Sequence, residues 1–539
     1  MGGGFGGKET QPALLACIAA LAAKRTGHAV KLRLDRDDDM HITGKRHGFL
    51  VNYEVGFDAS GLIKGVLLEL ASNCGRSADL SGPVNDRAVF HSDNCYFLDN
   101  VRIDSHRCKT NTVSNTAFRG FGGPQGMMAI EHVIDEIARH LSLDALDVRK
   151  VNFYGKDERN ITPYQMTVED NIIGEIVEEL EKSSNYRQRR LAIAAFNKSS
   201  PVLKRGLALT PLKFGISFTA TFFNQAGALL HVYRDGSIML NHGGTEMGQG
   251  LYTKVQQVVA EEFQVSIDQV KCTATDTSKV PNTSATAASS GSDLNGMAAK
   301  IAAGTIKQRL IKFAMEKYGL TRNDISFSDG HVQLGDKKIA FAELTEQAYM
   351  ARISLSSTGY YRTPKISYDP VSLSGRPFFY FSYGAAVSEV IIDTLTGEHK
   401  LLEVDILHDV GSSLNPAIDR GQVEGGFLQG VGWLTSEELW WNDKGKLMTH
   451  APSTYKIPVC SDWPEKFNVE LVGWSSNREE TVYRSKAVGE PPFMLAISVF
   501  HAIKDAIAST SDSGLSPQLN APATPEEVLS SISELAMRR

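Results

Sequence analysis

Cysteine is scarce in this chain and none of it is arranged for metal. Cys17, Cys74, Cys95, Cys108, Cys272 and Cys460 are scattered through 539 residues, with no C-x-x-C pair and no His-x-x-x-His beside one. That excludes a structural zinc site and a protein-ligated iron–sulfur cluster, and it reads as reduced, cytoplasmic usage. Neither sign of charge dominates: 56 Lys+Arg against 62 Asp+Glu leave −6, so nothing electrostatic calls for a nucleic acid partner. Long apolar runs are missing as well. Ala13 to Ala23 is the longest, well short of the roughly 20 residues that span a bilayer. Met1 leads into glycines rather than a basic segment, so this run is not a signal peptide, and the expectation is a cytoplasmic protein with no membrane contact. There is no repeat and no low-complexity tail. At 42% hydrophobic and 22% charged, the composition is that of ordered globular domains.

Glycine is abundant and clustered. Gly2–Gly7, Arg119–Pro124, Gly243–Gly250 and Ala287–Ser292 are four loops rich in small residues. Each stands before a helical pattern, over residues 8–25, around Ile130–Leu141, over 248–263 and over 293–318. Small residues at a helix start let backbone N–H groups approach an anion. Four such loops suggest a large phosphate-bearing cofactor gripped by backbone, against the plainer reading of ordinary turns. Between the helices the pattern predicts strands at 29–34, 51–57 and 62–71, a hairpin at 229–241 turning on Arg234–Ser237, and strands at 383–394 and 399–407. Ser142 is placed to cap a short helix over 143–151. Further helices are expected up to about Asn197, from Asn415-Pro416, and lastly after Pro491-Pro492. The polar stretch 154–166 marks a domain boundary, dividing the chain into 1–160 and 161–539. The fold class is α+β, with two large intertwined domains.

Two familiar motifs match the first loop. Gly2, Gly7 and Lys8 fit G-x-x-x-x-G-K, but Glu9 stands where a magnesium-binding Ser/Thr belongs, and a carboxylate there repels phosphate. Gly2, Gly4 and Gly7 fit G-x-G-x-x-G. That dinucleotide reading lacks a preceding strand, and Asp35 and Asp37 come later than about 20 residues on, where the acidic partner belongs; it remains the weaker alternative. A glycine loop normally follows a strand, so the chain is expected to begin inside a domain. Glu490, in Ser485–Pro492, is either a helix cap or a general base held by two prolines.

In this order, five words resemble the molybdenum-binding subunit of the xanthine dehydrogenase and aldehyde oxidase family. They are Gly2–Glu9, Thr116–Gly126, Gly244–Gly250, Pro281–Ser284 leading to Ala287–Ser289, and Lys486–Pro492. The resemblance runs over nearly the whole chain and implies two molybdopterin-binding domains, the first incomplete at its N-terminus. It implies a molybdenum–molybdopterin cofactor, its metal held by the pterin and not by protein side chains. Phe5, Gly6, Arg119, Gly248, Gln249, Ala287 and Ala288 would line it, with Arg119 offering guanidinium donors to an oxo group or phosphate. Glu490 corresponds to the catalytic base. The implied reaction inserts a water-derived oxygen at an electrophilic ring carbon of hypoxanthine or xanthine and passes hydride to a molybdenum sulfido group. Glu9 and Arg87 correspond to the polar pair that grips a purine, where aldehyde-oxidising members carry apolar residues. Phe121 and Phe218 would flank the flat ring, beside Thr219. The bland alternative for Arg87 is an ion pair with Asp86 or Asp93. Iron–sulfur clusters and FAD are expected on a partner subunit or a missing region, making a hetero-oligomer. The family's upstream glutamine beside molybdenum has no counterpart in this sequence. An aldehyde-oxidising member and an inactive fragment remain the alternatives.

Overall fold

Three β-sheets, each covered by helices, carry the loops of interest. The computed structural model describes residues 3–276, 278, 283–511 and 514–538. Met1 and Gly2 of the first glycine word, and Pro281 and Asn282 of the fourth, lie outside them.

The first sheet pairs Phe49–Phe57 with Ile63–Gly75 antiparallel, Val51 opposite Leu70, and adds Val101–Lys109 parallel. The helix Gly123–Leu141 covers it. Ile130, Val133, Ile134 and Ile137 recur on one face of that helix and bury against Ile63, Val66 and Leu68, as the 3.6-residue period demands. The second sheet holds the hairpin Gln225–Val232/Ile238–His242, with Leu230 opposite Leu240. Beneath it lie the helices Leu251–Phe263 and Gly291–Tyr318, the latter through a row of alanines at 298, 299, 302 and 303. Small side chains there let helix and sheet approach closely. The third sheet is built on Tyr380–Asp393, paired with Leu203–Ile216 on one side and His399–His408 on the other. The helices Pro416–Thr435 and Ile497–Ala508 pack on it. By length and composition alone, Pro491–Ala508 could cross a membrane, but 89% of it is buried inside the fold, so it is a core helix.

The two halves of the chain interlock through buried charge. Lys504 Nζ lies 3.0 Å from Asp135 Oδ2, and Lys213 Nζ lies 3.1 Å from Asp93 Oδ2. Buried ions demand such partners.

Three expectations need correction. Residues 29–34 form no strand: Val30 and Leu32 are exposed, and no strand neighbour lies beside the segment among the described residues. Alternation makes a strand only where the backbone finds a ladder partner. Ser142 does not cap the helix that follows it; it is the C-cap of the preceding one, in the left-handed conformation (φ 57°). Asp144 caps the short helix Ala145–Asn152 instead, accepting from Leu146 N at 2.8 Å. The stretch 154–166 forms neither helix nor strand, as expected, and buries Tyr154, Tyr164 and Met166. Finally, Ile497–Ala508 is not the last helix: Pro525–Met537 follows, capped by Thr524.

Candidate active site

The four small-residue loops and the Ser485–Glu490 segment converge on one cavity of about 720 Å³. All thirteen residues singled out from the sequence line it: Phe5, Gly6, Glu9, Arg87, Arg119, Phe121, Phe218, Thr219, Gly248, Gln249, Ala287, Ala288 and Glu490. Each loop does precede a helix, at Pro12, Gly123, Leu251 and Gly291. Glycine is required at the tightest points. Gly6 has φ 105°, and a Cβ there would sit 2.7 Å from the Ala117 carbonyl carbon. Gly122 has φ 96°, and its Cβ would sit 1.9 Å from Val84 O. Gly6 therefore lets the first loop lie backbone to backbone against Ala117 and Phe118, and Gly122 lets the second loop lie against the helix Ser81–Phe90, contacts a side chain would prevent.

Glu490 is no helix cap. Pro491 and Pro492 follow it and carry no N–H, and its carboxylate bonds to none of the turn after it. It reaches across the cavity instead. Oε1 accepts from Gly120 N at 3.2 Å, and Oε2 accepts from Ser289 Oγ at 2.9 Å.

The segment carrying it is held at several points. Lys486 is buried between Asp409 at 2.7 Å and Asp170 at 3.1 Å. Burial alone would lower its pKa, but the two carboxylates carry it above the ordinary lysine value. Ala487 N donates to Tyr380 Oη at 2.8 Å, and Tyr380 Oη donates to Asp293 Oδ2 at 2.6 Å. Burial raises Asp293 to about 7, partly opposed by the Tyr380 hydrogen bond and Lys254. Arg119 completes the clamp. Its Nε donates to Gly489 O at 2.6 Å, Nη1 to Gln429 Oε1 at 3.3 Å, and Nη2 to Gln422 O at 3.2 Å. This corrects the expectation of free guanidinium donors. Arg119 turns inward and braces the loop that carries Glu490, and burial lowers its pKa to about 10.

The third loop also differs from expectation. Its backbone N–H groups are not free for an outside anion, because Glu246 occupies them. That carboxylate accepts from Gly248 N at 2.8 Å, Gly250 N at 3.1 Å and Tyr252 N at 3.0 Å, which neutralises the start of the Leu251–Phe263 helix. Gln249 is likewise spent on its own loop, accepting from Met247 N and donating to Thr245 O. The helix starts at Gly123 and Gly291, by contrast, have no side-chain cap.

Arg87 makes neither ion pair of the bland alternative, since Asp86 pairs with Arg107 and Asp93 with Lys213. It is 2% exposed. Its terminal nitrogens bond Ser217 O at 2.9 Å and Gly215 O, and its guanidinium lies 4.6 Å from the Phe214 ring centre. It therefore acts on the cavity as a fixed positive charge, and its Nε is buried without a partner. Burial lowers its pKa and Glu490 opposes that shift. Glu9 pairs with Lys8 at 2.8 Å, and its other oxygen is buried without a partner. Sequence reasoning missed Ser289, Glu246, Tyr380 and Asp293. Only Glu246 carried a signal, an acid just before a helix.

No group of three or more His, Cys, Asp or Glu placed to hold a metal ion occurs among the described residues. A family model described as molybdopterin cofactor-binding domain matches residues 1–153, and a second with that description matches 179–464. Xanthine dehydrogenase/oxidase of Felis catus is 48% identical over 534 residues, covering 98% of this chain and 38% of the relative. Xanthine dehydrogenase of Dictyostelium discoideum is 46% identical over 537 residues, with the same 98% and 38% coverage. The chain thus spans less than two-fifths of the length of these relatives. Among solved structures, quinoline 2-oxidoreductase from Pseudomonas putida 86 superposes with a TM-score of 0.85 at 22% identity, over 99% of this chain and 68% of that one. Aldehyde oxidoreductase from Desulfovibrio gigas gives 0.82 at 24%, over 99% and 54%. At such identities the likeness is one of fold.

Proposed function

The chain belongs to the molybdopterin cofactor-binding domain family, and we propose on that footing that it is the molybdenum-bearing part of a hydroxylase oxidising hypoxanthine or xanthine towards urate. The observation that carries the reading is Glu490: a carboxylate turned away from its own helix and into a cavity that a buried arginine makes electropositive. Nearly half of all positions are shared with xanthine dehydrogenases along 98% of the chain, which supports the purine over an aldehyde.

The residues present suit the cofactor. The cavity volume lies within the usual ligand range of roughly 300–1,000 Å³. A metal with no side-chain ligand set must arrive on an organic carrier. Gly6 and its neighbours offer a wall that admits no side chain, and the uncapped helix start at Gly291, which lines the cavity, offers N–H groups. When bound, the group supplies a Lewis acid and a two-electron acceptor. Overall the purine C–H and one water give the C–OH product, two electrons and two protons.

The chain's own residues do the rest. Glu490 takes a proton from the attacking water oxygen, with each of its carboxylate oxygens held in place by one donor, Gly120 N and Ser289 Oγ. Arg87 opposes the negative charge that builds on the purine, from a dry site where charge acts strongly. Phe121 and Phe218 give the ring two apolar walls, and Thr219 and Glu9 supply polar edges. Electrons leave to iron–sulfur clusters and FAD on another polypeptide or region, in a hetero-oligomeric assembly.

The test is Arg87→Met in the loaded complex. Xanthine turnover should fall at least a hundredfold, while a small aldehyde loses less than tenfold. Equal losses on both substrates would refute the purine reading.

A further inference from the structure

We infer that Ser289 is a positioning residue for Glu490: its single hydroxyl fixes both the backbone and the carboxylate of the base. The inference rests on the base reading above. Ser289 Oγ accepts from Glu490 N at 2.8 Å and donates to Glu490 Oε2 at 2.9 Å. One oxygen thus closes a ring through the backbone and side chain of the same residue, which leaves the carboxylate one rotamer. The other oxygen, Oε1, takes Gly120 N, so each carboxylate oxygen holds one donor and keeps a lone pair for the cavity.

The surrounding backbone is built for this contact. Ala288 has φ 54° and Ser289 φ 58°. Two successive non-glycine residues in the left-handed region are strained, and such strain persists where the surroundings fix it. The next residue, Ser290, is the N-cap of the Gly291 helix and turns its hydroxyl to Ala287 O, whereas Ser289 reaches across to Glu490. On the facing side, a Cβ at residue 489 would lie 2.9 Å from Ser289 Oγ. Glycine at 489 therefore leaves room for the hydroxyl, and Arg119 holds that same glycine's carbonyl. The hydroxyl and the guanidinium grip consecutive residues, one aiming the carboxylate and the other fixing its loop.

The test compares Ser289→Ala, Ser289→Gly and Glu490→Gln in the full complex. Ser289→Ala loses only the hydroxyl, and Ser289→Gly loses the whole side chain but keeps the left-handed backbone without strain, so the pair separates aiming from folding. Both serine variants should lose roughly ten- to a hundredfold in kcat, with KM within about twofold. Crystal structures of cofactor-free Ser289→Ala and Ser289→Gly should show the Glu490 carboxylate in more than one rotamer. Wild-type kcat in Ser289→Gly beside an inactive Glu490→Gln would overturn the positioning role and leave the base reading standing. Wild-type kcat in Glu490→Gln would overturn the base reading. Positioning would then be judged on the cofactor-free crystals, where a single unchanged rotamer in Ser289→Gly overturns it.

Discussion

Replacing Arg119 with methionine should free the Glu490 loop while scarcely moving global stability. The guanidinium bonds the backbone carbonyls of Gly489 and Gln422 and the side-chain amides of Gln422 and Gln429. Methionine fills a similar volume and donates nothing. Both carbonyls are part-buried, and Gln422 lies inside the helix Pro416–Thr435, so the loss is about 1–3 kcal/mol at Gly489 O and little at Gln422 O. Against that, the variant no longer buries a charge. Burial lowers the arginine from 12.5 to about 10, which at roughly 1.4 kcal/mol per pKa unit corresponds to about 3 kcal/mol. The two effects largely cancel, and the melting midpoint should move by a few degrees at most. The local effect does not cancel, because the lost bonds all hold one loop and its neighbour. Hydrogen exchange in peptides covering 486–492 should accelerate at least tenfold, and turnover should fall with it. Unchanged exchange would show that Arg119 does not brace Glu490; a collapse in melting temperature would show that its charge is not a burial cost.

Gly6→Ala should destabilise by about 2–3 kcal/mol, since its Cβ meets Ala117 backbone at 2.7 Å with φ 105°, whereas Gly48→Ala, with open space around it, should melt like wild type. Stability should also fall on acidification. Burial holds His47 and His242 at about 4 and His408 at about 3, against 6.5 when unfolded. Below pH 6.5 the unfolded chain therefore binds these three protons and the folded chain does not. Asp293, raised to about 7 from 3.8 by burial, binds its proton first in the folded state and offsets one of them. The remaining two alone give a slope of about 3 kcal/mol per pH unit between roughly pH 6.5 and 4.5; His91, His132, His399 and His501, also lowered by burial, act in the same direction, and a melting midpoint that stays level over that range contradicts the assignment.

The site was legible in outline because its loops obey a strong local rule. Glycine before an apolar helix period marks a close backbone approach, and all four loops meet at one cavity. Direction was not legible. Arg119 and Arg87 stand at the cavity, yet their nitrogens turn to carbonyls from distant strands and helices. Ser289 reaches Glu490 across 201 residues of chain, a separation no spacing rule contains. Glu246 was readable as an acid before a helix, and its carboxylate takes the N–H groups of Gly248, Gly250 and Tyr252. The segment 29–34 alternates like a strand, but a strand needs a neighbour. Thr524-Pro525-Glu526-Glu527 carried an ordinary helix-start signature, so the final helix was open to prediction.

The central claim is that this cavity holds a molybdenum cofactor whose substrate Glu490 deprotonates the water for. Molybdenum content and urate formation, measured together on wild type and Glu490→Gln in the assembled complex, test it most directly. The account predicts close to one molybdenum per chain in both proteins and xanthine turnover in the wild type alone. Urate formation at the wild-type rate by Glu490→Gln, or a wild-type complex without molybdenum, would contradict it.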